Sequence, residues 1–420
     1  MRGREAIKSW NCEHEVTTVC SDLIRFPSEN PPGDVAEIAT YILEYLQRAG
    51  IPARQISSVP GMRSVIAELD FGPGPCLVLN GHMDVVPAGD RTRWSFDPFG
   101  GEVCEGHVLG RGASDMKGGL ASLLVAIAQA ARWDTLRGKV LFTAVPDEET
   151  GGWYGTRWLL EQGFTGDACL IAEPSGTNPT IGQKGALWLR AIARGIPAHG
   201  SLSPLVGENA ILRMTQIIET VYSIWERTWI FPPEPHQLIA ETQSTLREEG
   251  LGVQAEALDH VTVNVGRIVG GDKVNIVADH CEAEFDLRVP IGIPVGDVFG
   301  LLRQLVEERA GSGVEIAPVR DPIEANYTSP THPFVQLVLR IIREVAGGTS
   351  RPVLQWASSD ARFFRRHGIP TLQFGPAELQ GIHGYDERVA VGQLVQAARV
   401  YALLIHDYLS PGDGGGFRAA

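Results

Sequence analysis

The sequence predicts an α/β protein: a larger domain built on a largely parallel mixed sheet, interrupted by a smaller ferredoxin-like α+β domain. Three observations carry this reading. Between residues 35 and 172, short apolar runs alternate with stretches of helical period, as strands alternate with covering helices. After Pro179 the order becomes strand, helix, loop, two strands, helix, strand, which is the ferredoxin-like pattern. From Pro333 the first rhythm returns.

Taken in order, Val35, Ile38, Ile42, Leu46 and Ala49 repeat at about 3.6 residues and end at Gly50, a helix with its stop signal. Cys76–Asn80, Lys139–Val145 and Ala168–Ala172 are the apolar runs read as buried strands, with helices at Leu120–Trp133 and Trp153–Gln162 between them. In the inserted domain, Ala186–Ala193, Val261–Val269, Cys281–Val289 and Gly313–Pro318 read as strands, and Asn209–Trp225 and Val298–Glu308 as helices. Thr228–Ala257, rich in proline and charge at its start, reads as an insertion within that domain. Helices near Val335–Val345 and Val391–Tyr408 complete the larger domain. The expected division is 1–182 and 321–410 for the larger domain, 183–320 for the inserted one, and a disordered tail at 411–420.

Hydrophobic residues make up 44% and charged residues 20% of the 420, a globular mixture. A net charge of −14 argues against a nucleic-acid or anionic-membrane binder, although a local basic pocket is still allowed. The first residues, MRGREAIKSWNCEHE, carry charge where a signal peptide needs its apolar stretch. The longest uncharged apolar stretch, Gly118 to Ala131, falls short of the roughly 20 residues of a spanning helix. Six cysteines without a Cys-x-x-Cys pair make neither a disulfide framework nor a zinc ribbon, and Cys104 with His107 reads as a chance pair beside a turn. A soluble, cytoplasmic protein is expected.

Acidic and histidine residues recur where the strands end. Cys76–Asn80 runs into Gly81-His82-Met83-Asp84, Lys139–Val145 into Pro146-Asp147-Glu148-Glu149, and Ala168–Ala172 into Glu173; Asp115 follows a glycine-rich turn. A lone His-x-Asp is more often a turn than a ligand. Several such ends on one rim are another matter, because open α/β sheets bind ligands at the carboxyl ends of their strands. Crowded carboxylates also repel unless a cation joins them.

The segments GHMDVVPAGD, GRGASDMKGG, PDEETGG, AEPS and IHGYDERV, in this order, resemble the metallopeptidase family of acetylornithine deacetylase, succinyl-diaminopimelate desuccinylase, aminoacylase and the folate-cleaving glutamate carboxypeptidase. The resemblance covers nearly the whole chain and implies a dinuclear metal site on the α/β domain, with a lid domain through which many members dimerise. It implies that Asp115 bridges two metals, that His82 and Glu173 bind one, and that Glu149 and His383 bind the other. Such mixed N/O ligation suits Zn²⁺, and Co²⁺ or Mn²⁺ also fit. By the same resemblance, Asp84 orients His82, Glu148 is the general base, and the peptide after Asp115 is cis. ARGIPAHGS resembles the family's lid motif, which implies that His199 acts at the scissile carbonyl, and the resemblance of GGDKVNIVADHCEAEFDLR implies that Asn275 and Arg288 contact substrate. Where relatives often carry Gly-Gly-Thr-Ser-Asp, this chain has Ala357-Ser358-Ser359-Asp360, with Ser358 as a substrate contact; Trp188 and Trp356 read as core.

The implied reaction is hydrolysis of an N-acyl amino acid, or a related carboxylate-bearing amide, by a metal-bridging hydroxide, in an enzyme that forms a homodimer. A dipeptidase or carboxypeptidase would need the same chemistry. A deaminase acting on an aromatic amine or amidine is a further alternative, and a non-catalytic metal-binding protein is the alternative from another class.

Overall fold

The computed structural model describes residues 3–311 and 313–410; the expected disordered tail, 411–420, lies outside the described residues. The chain divides into two compact units. One takes the chain up to Ile181, Thr328–Pro352 and the chain from Ser359 onward; the other takes Gly182–Tyr327 and Val353–Ser358. The return crossing falls at Thr328 and not at 321, because Asn326 and Tyr327 pair with Gln183 and Gly182 as a short antiparallel ladder.

In the first unit the sheet runs Ala53–Val59, Met62–Asp70, Lys139–Val145, Cys76–His82, Ala168–Ile171, Thr371–Gln373. The last four of these strands are mutually parallel, while the first two form an antiparallel hairpin set antiparallel against Lys139–Val145. This is the largely parallel mixed sheet of an α/β fold. Leu77, Val78, Leu79 and Phe142 are fully buried, which is why these strands read as unbroken apolar runs: both faces are covered. Helix Gly118–Ala130 is buried at every position and packs against helices Val391–Leu409 and Glu13–Ile24, so its all-round apolar surface belongs to the core. Among the described residues no helix is long and apolar enough to cross a membrane.

The second unit holds a four-stranded antiparallel sheet ordered Thr262–Gly270, His280–Val289, Gly185–Arg194, Val314–Pro318. Burial alternates along Gly185–Arg194 and His280–Val289, the signature of a sheet with one covered face. Helices Ala210–Tyr222 and Val295–Ala310 cover that face, burying Met214, Ile217, Leu302 and Val306 against Leu187, Leu189, Phe285 and Leu287. Trp188 does not lie in this core. It is 37% exposed on the open face, with the Arg320 guanidinium over its ring, because it occupies the alternate position of a strand whose neighbours Leu187 and Leu189 point inward. Trp356 is half-buried.

The stretch read as an insertion forms helix Pro233–Glu248 and a short helix Gly252–Glu256. Pro233 starts the first of these, where its missing N–H costs nothing. The helix packs against strand Val353–Gln355, whose Leu354 N–H donates to Thr242 Oγ1 at 3.2 Å. Buried Lys184 ties down the far end, donating to the carbonyls of Ala257 and His260 at 2.6 and 2.7 Å.

Candidate metal centre

Within the first unit the carboxyl ends of three parallel strands deliver His82, the Asp147–Thr150 turn and Glu173 to one rim. Asp147 takes a left-handed backbone (φ 73°) that few non-glycine residues adopt. Its carboxylate holds the turn in that shape by accepting from the Thr150 hydroxyl and, at 3.0 Å, from the Tyr154 N–H. Asp115 comes from the turn that precedes helix Gly118–Ala130, and the Asp115–Met116 peptide is cis. His383 lies in a loop that also has positive φ (61°), anchored where Asp386 accepts from Ser95 N–H and Oγ at 2.7 and 2.9 Å.

These side chains converge. Asp115 divides its two oxygens: Oδ1 lies 3.1 Å from His82 Nε2, and Oδ2 lies 3.3 Å from His383 Nε2. Glu173 Oε1 is 3.7 Å from His82 Nε2, and Glu149 Oε2 is 3.3 Å from His383 Nε2. His82, Glu148 and Glu173 form one group whose candidate ligand atoms lie within 4.8 Å of one another; His82, Asp115 and Glu149 form a second. Glu149 Oε1 and Glu173 Oε1 are buried without a hydrogen-bond partner, which is costly for a carboxylate unless a cation occupies the space between. The donor set of imidazole nitrogen and carboxylate oxygen fits a divalent metal of the zinc type.

The electrostatics tell the same story. Burial, then the charge of Glu173, holds the Glu148 carboxyl well above the usual carboxylate range. Glu173 is raised likewise by burial, and Glu149 by burial and by Asp115. Burial opposes a charged His82, but Glu173, Asp115, Glu148 and Asp84 together raise it well above its ordinary value. Hydrogen bonds to Asp115 and Glu149 bring His383 up to about 10. Asp115, despite burial, is held below the usual range by its bonds to His383 and His82.

Asp84 has a more specific arrangement than a ring-orienting carboxylate. The ring of His82 is fixed by the backbone carbonyl of Asp84, 2.8 Å from Nδ1, whereas the nearer carboxylate oxygen stands 3.7 Å away. The fully buried carboxylate accepts instead from the backbone N–H of Glu148 and of Glu149, both at 3.2 Å, and from Asn30 Nδ2 at 2.9 Å. Asn30 also reaches Thr150 Oγ1 at 3.1 Å. Sequence reasoning missed Asn30, which no motif marks. It also passed over Arg111 and Glu387, although both stand inside segments singled out for their neighbours.

The other expected site residues belong to the second unit. His199 is exposed, with Nδ1 2.7 Å from Ser201 Oγ, and it pairs as an isolated bridge with Ile276. Gly200 donates to the carbonyl of Asn275 at 2.8 Å, so His199 and Asn275 are neighbours. Arg288 is engaged by Asp286 two residues away: Nη2 donates to Oδ2 at 2.9 Å and Nε lies 2.9 Å from Oδ1. Ser358 Oγ accepts from Gln183 Nε2 at 2.9 Å.

The chain matches the peptidase family M20/M25/M40 over residues 78–407. A succinyl-diaminopimelate desuccinylase of Methylobacterium nodulans is 31% identical over 411 residues, covering 93% of this chain and 95% of the relative. Another, of Cereibacter sphaeroides, is 29% identical over 403 residues, covering 93% and 98%. Among solved structures, the M20 family metallo-carboxypeptidase Sso-CP2 from Sulfolobus solfataricus aligns with a TM-score of 0.76 over 93% of this chain and 98% of that one; at 21% identity this is a likeness of fold. With most of its length inside the family match and relatives of nearly its own extent, the chain belongs to peptidase family M20/M25/M40 and is a metal-dependent hydrolase of C–N amide bonds.

Proposed function

We propose that the enzyme hydrolyses the amide of an N-acyl amino acid, or a related amide bearing a free carboxylate, at a centre for two divalent cations, Zn²⁺ foremost. The observation that carries this reading is Asp115, whose two oxygens face two different imidazoles, each with its own carboxylate partner. Asp115 would be shared, His82 and Glu173 would hold one cation, and Glu149 and His383 the other. When bound, the cations supply Lewis acidity, polarising the scissile carbonyl and making water a better acid.

The remaining work falls to the chain's own groups. Glu148 is the general base: it stands in the cluster beside His82 and Glu173, takes a proton from water and returns it to the leaving nitrogen. Adjacent glutamates can divide the labour, one holding metal and the other holding a proton. Asp84 keeps both in place through their backbone amides. In the second unit, the proposed lid, His199 donates toward the developing oxyanion. Asn275 and Ser358 contact substrate, and Arg288 receives its carboxylate. Asp286 fixes the guanidinium by its Nε–Nη2 edge, which leaves the Nη1–Nη2 edge for a second carboxylate.

The protein is proposed to work as a homodimer through this unit. Leu205 and Val274 are 90% and 101% exposed on the two segments that carry His199 and Asn275, with Ile196, Val206 and Ile276 exposed beside them. Apolar side chains so placed fit the surface of a second copy.

The test is a hydrolysis screen over acetyl, succinyl, formyl, carbamoyl and aroyl amino acids together with dipeptides, following acid and amine release separately. Turnover of an N-acyl amino acid, lost on its methyl ester and insensitive to that change in Arg288→Ala, is the expected result. Release of free amino acids from dipeptides alone makes it a peptidase; ammonia without an acid product makes it a deaminase.

A further inference from the structure

We propose that the buried ion pair Arg111–Glu387 is a positioning device that ties the Asp115 turn to the His383 loop, so that the metal position they share is set before a cation arrives. The inference rests on the ligand assignment proposed above.

The tie is reciprocal. Glu387, four residues after His383, extends Oε1 to the backbone N–H of both Ser114 and Asp115, each at 3.0 Å. Its Oε2 accepts from Arg111 Nη1 at 2.5 Å. Arg111, four residues before Asp115, returns the contact by donating from Nη2 to the carbonyl of Gly384, next to His383, at 2.8 Å. Thus each ligand-bearing segment supplies the group that grips the other. Both side chains are almost wholly buried, with the Trp94 ring 5.1 Å from the Arg111 guanidinium carbon. Both Glu387 oxygens are committed, so this carboxylate is a holder and not a ligand.

Two features set this pair apart from ordinary stabilisation. A buried ion pair is weak support for stability, since apolar residues of the same volume often do as well; what this pair adds is bonds to the backbone of two separate segments. The loop it holds also needs holding. His383 and Asp386 both take positive φ, 61° and 57°, without being glycine, a conformation that persists only where the surroundings impose it. By contrast, His82 ends a strand paired on both sides, and its position depends on the sheet and not on this pair.

The experiment titrates the metal-free full chain with Zn²⁺ by calorimetry and reads the Co²⁺ absorption spectrum of each variant, with circular dichroism and melting as fold controls. Wild type should take up two equivalents, and His383→Ala identifies which affinity belongs to the His383 position. Arg111→Met/Glu387→Gln is uncharged and keeps an acceptor for the Ser114 and Asp115 amides, but cuts the tie to Gly384. It should weaken the His383 position by about 10–100-fold and leave the other within about threefold. Glu387→Ala, which releases both amides, should weaken both positions; should it fail to fold, the double variant carries the test. A folded double variant with wild-type affinity at both positions, or with equal loss at both, overturns the proposal. Wild type that binds fewer than two equivalents overturns the ligand assignment instead.

Discussion

Glu148 and Glu149 are adjacent in sequence and share an anchor in Asp84, and the proposed function gives them different tasks. Glu148→Gln is nearly isosteric and leaves the proposed ligands untouched, so metal content should be unchanged while kcat falls about 10²–10⁴-fold; metal analysis beside steady-state kinetics checks it. Near wild-type turnover with full metal would remove Glu148 from the role. A second prediction follows from His383. Its pKa of about 10 lies above its ordinary 6.5, so its contribution to the metal-free fold is complete below about pH 6.5 and is lost as pH rises through about 10. In its proposed role as a metal ligand His383 would have to be a neutral imidazole, so binding at pH 7 would expel that proton. Zn²⁺ affinity should therefore rise from pH 6 to 8, with proton release detected by calorimetry in buffers of different ionisation enthalpy. A pH-independent affinity would contradict this account. At this scale the sequence named the histidines and carboxylates that the structure brings together. It could not show that Asp84 offers its carbonyl to His82 and its carboxylate to two amides, because that choice depends on where residues about 65 positions away fold.

Elements position these residues by close packing. Helix Gly118–Ala130 passes so near the end of strand Ala168–Ile171 that a methyl at Gly119 would run into the carbonyl oxygen of Ala172, beside Glu173. Gly119→Ala should cost about 1–3 kcal/mol in stability and lower metal affinity by displacing Glu173. Thermal melting and Zn²⁺ titration test both, and unchanged values would mean that the strand end yields freely. Strong periodicity made several elements readable: Lys139–Val145 appears with the predicted bounds, and the 35–49 pattern became helix Ala36–Arg48. The hairpin Ala53–Val59 and Met62–Asp70 escaped notice, since its edge strand ARQISSV is half polar and never wholly buried. The three-residue strands Val353–Gln355 and Thr371–Gln373 are too short to carry a period at all.

For the whole molecule, the dimer proposal predicts complementation. Subunits carrying His199→Ala and subunits carrying Glu148→Ala, each inactive alone, should regain part of the activity after exchange if His199 serves the partner's centre. No recovery after demonstrated exchange would place it in cis. The sequence alone determined the fold class, the order of the segments that bear the proposed ligands and the family, because each is written in local composition: apolar period, strand-end acids and short motifs. Tertiary structure alone decided which groups hold those residues in place. Glu387 meets Ser114 across 273 positions and Arg111 across 276, and no local pattern encodes a contact at that separation. Arg288 shows the same limit at short range: its partner Asp286 is two residues away on the same strand, but only the rotamers chosen by the surrounding sheet turn that proximity into a pair.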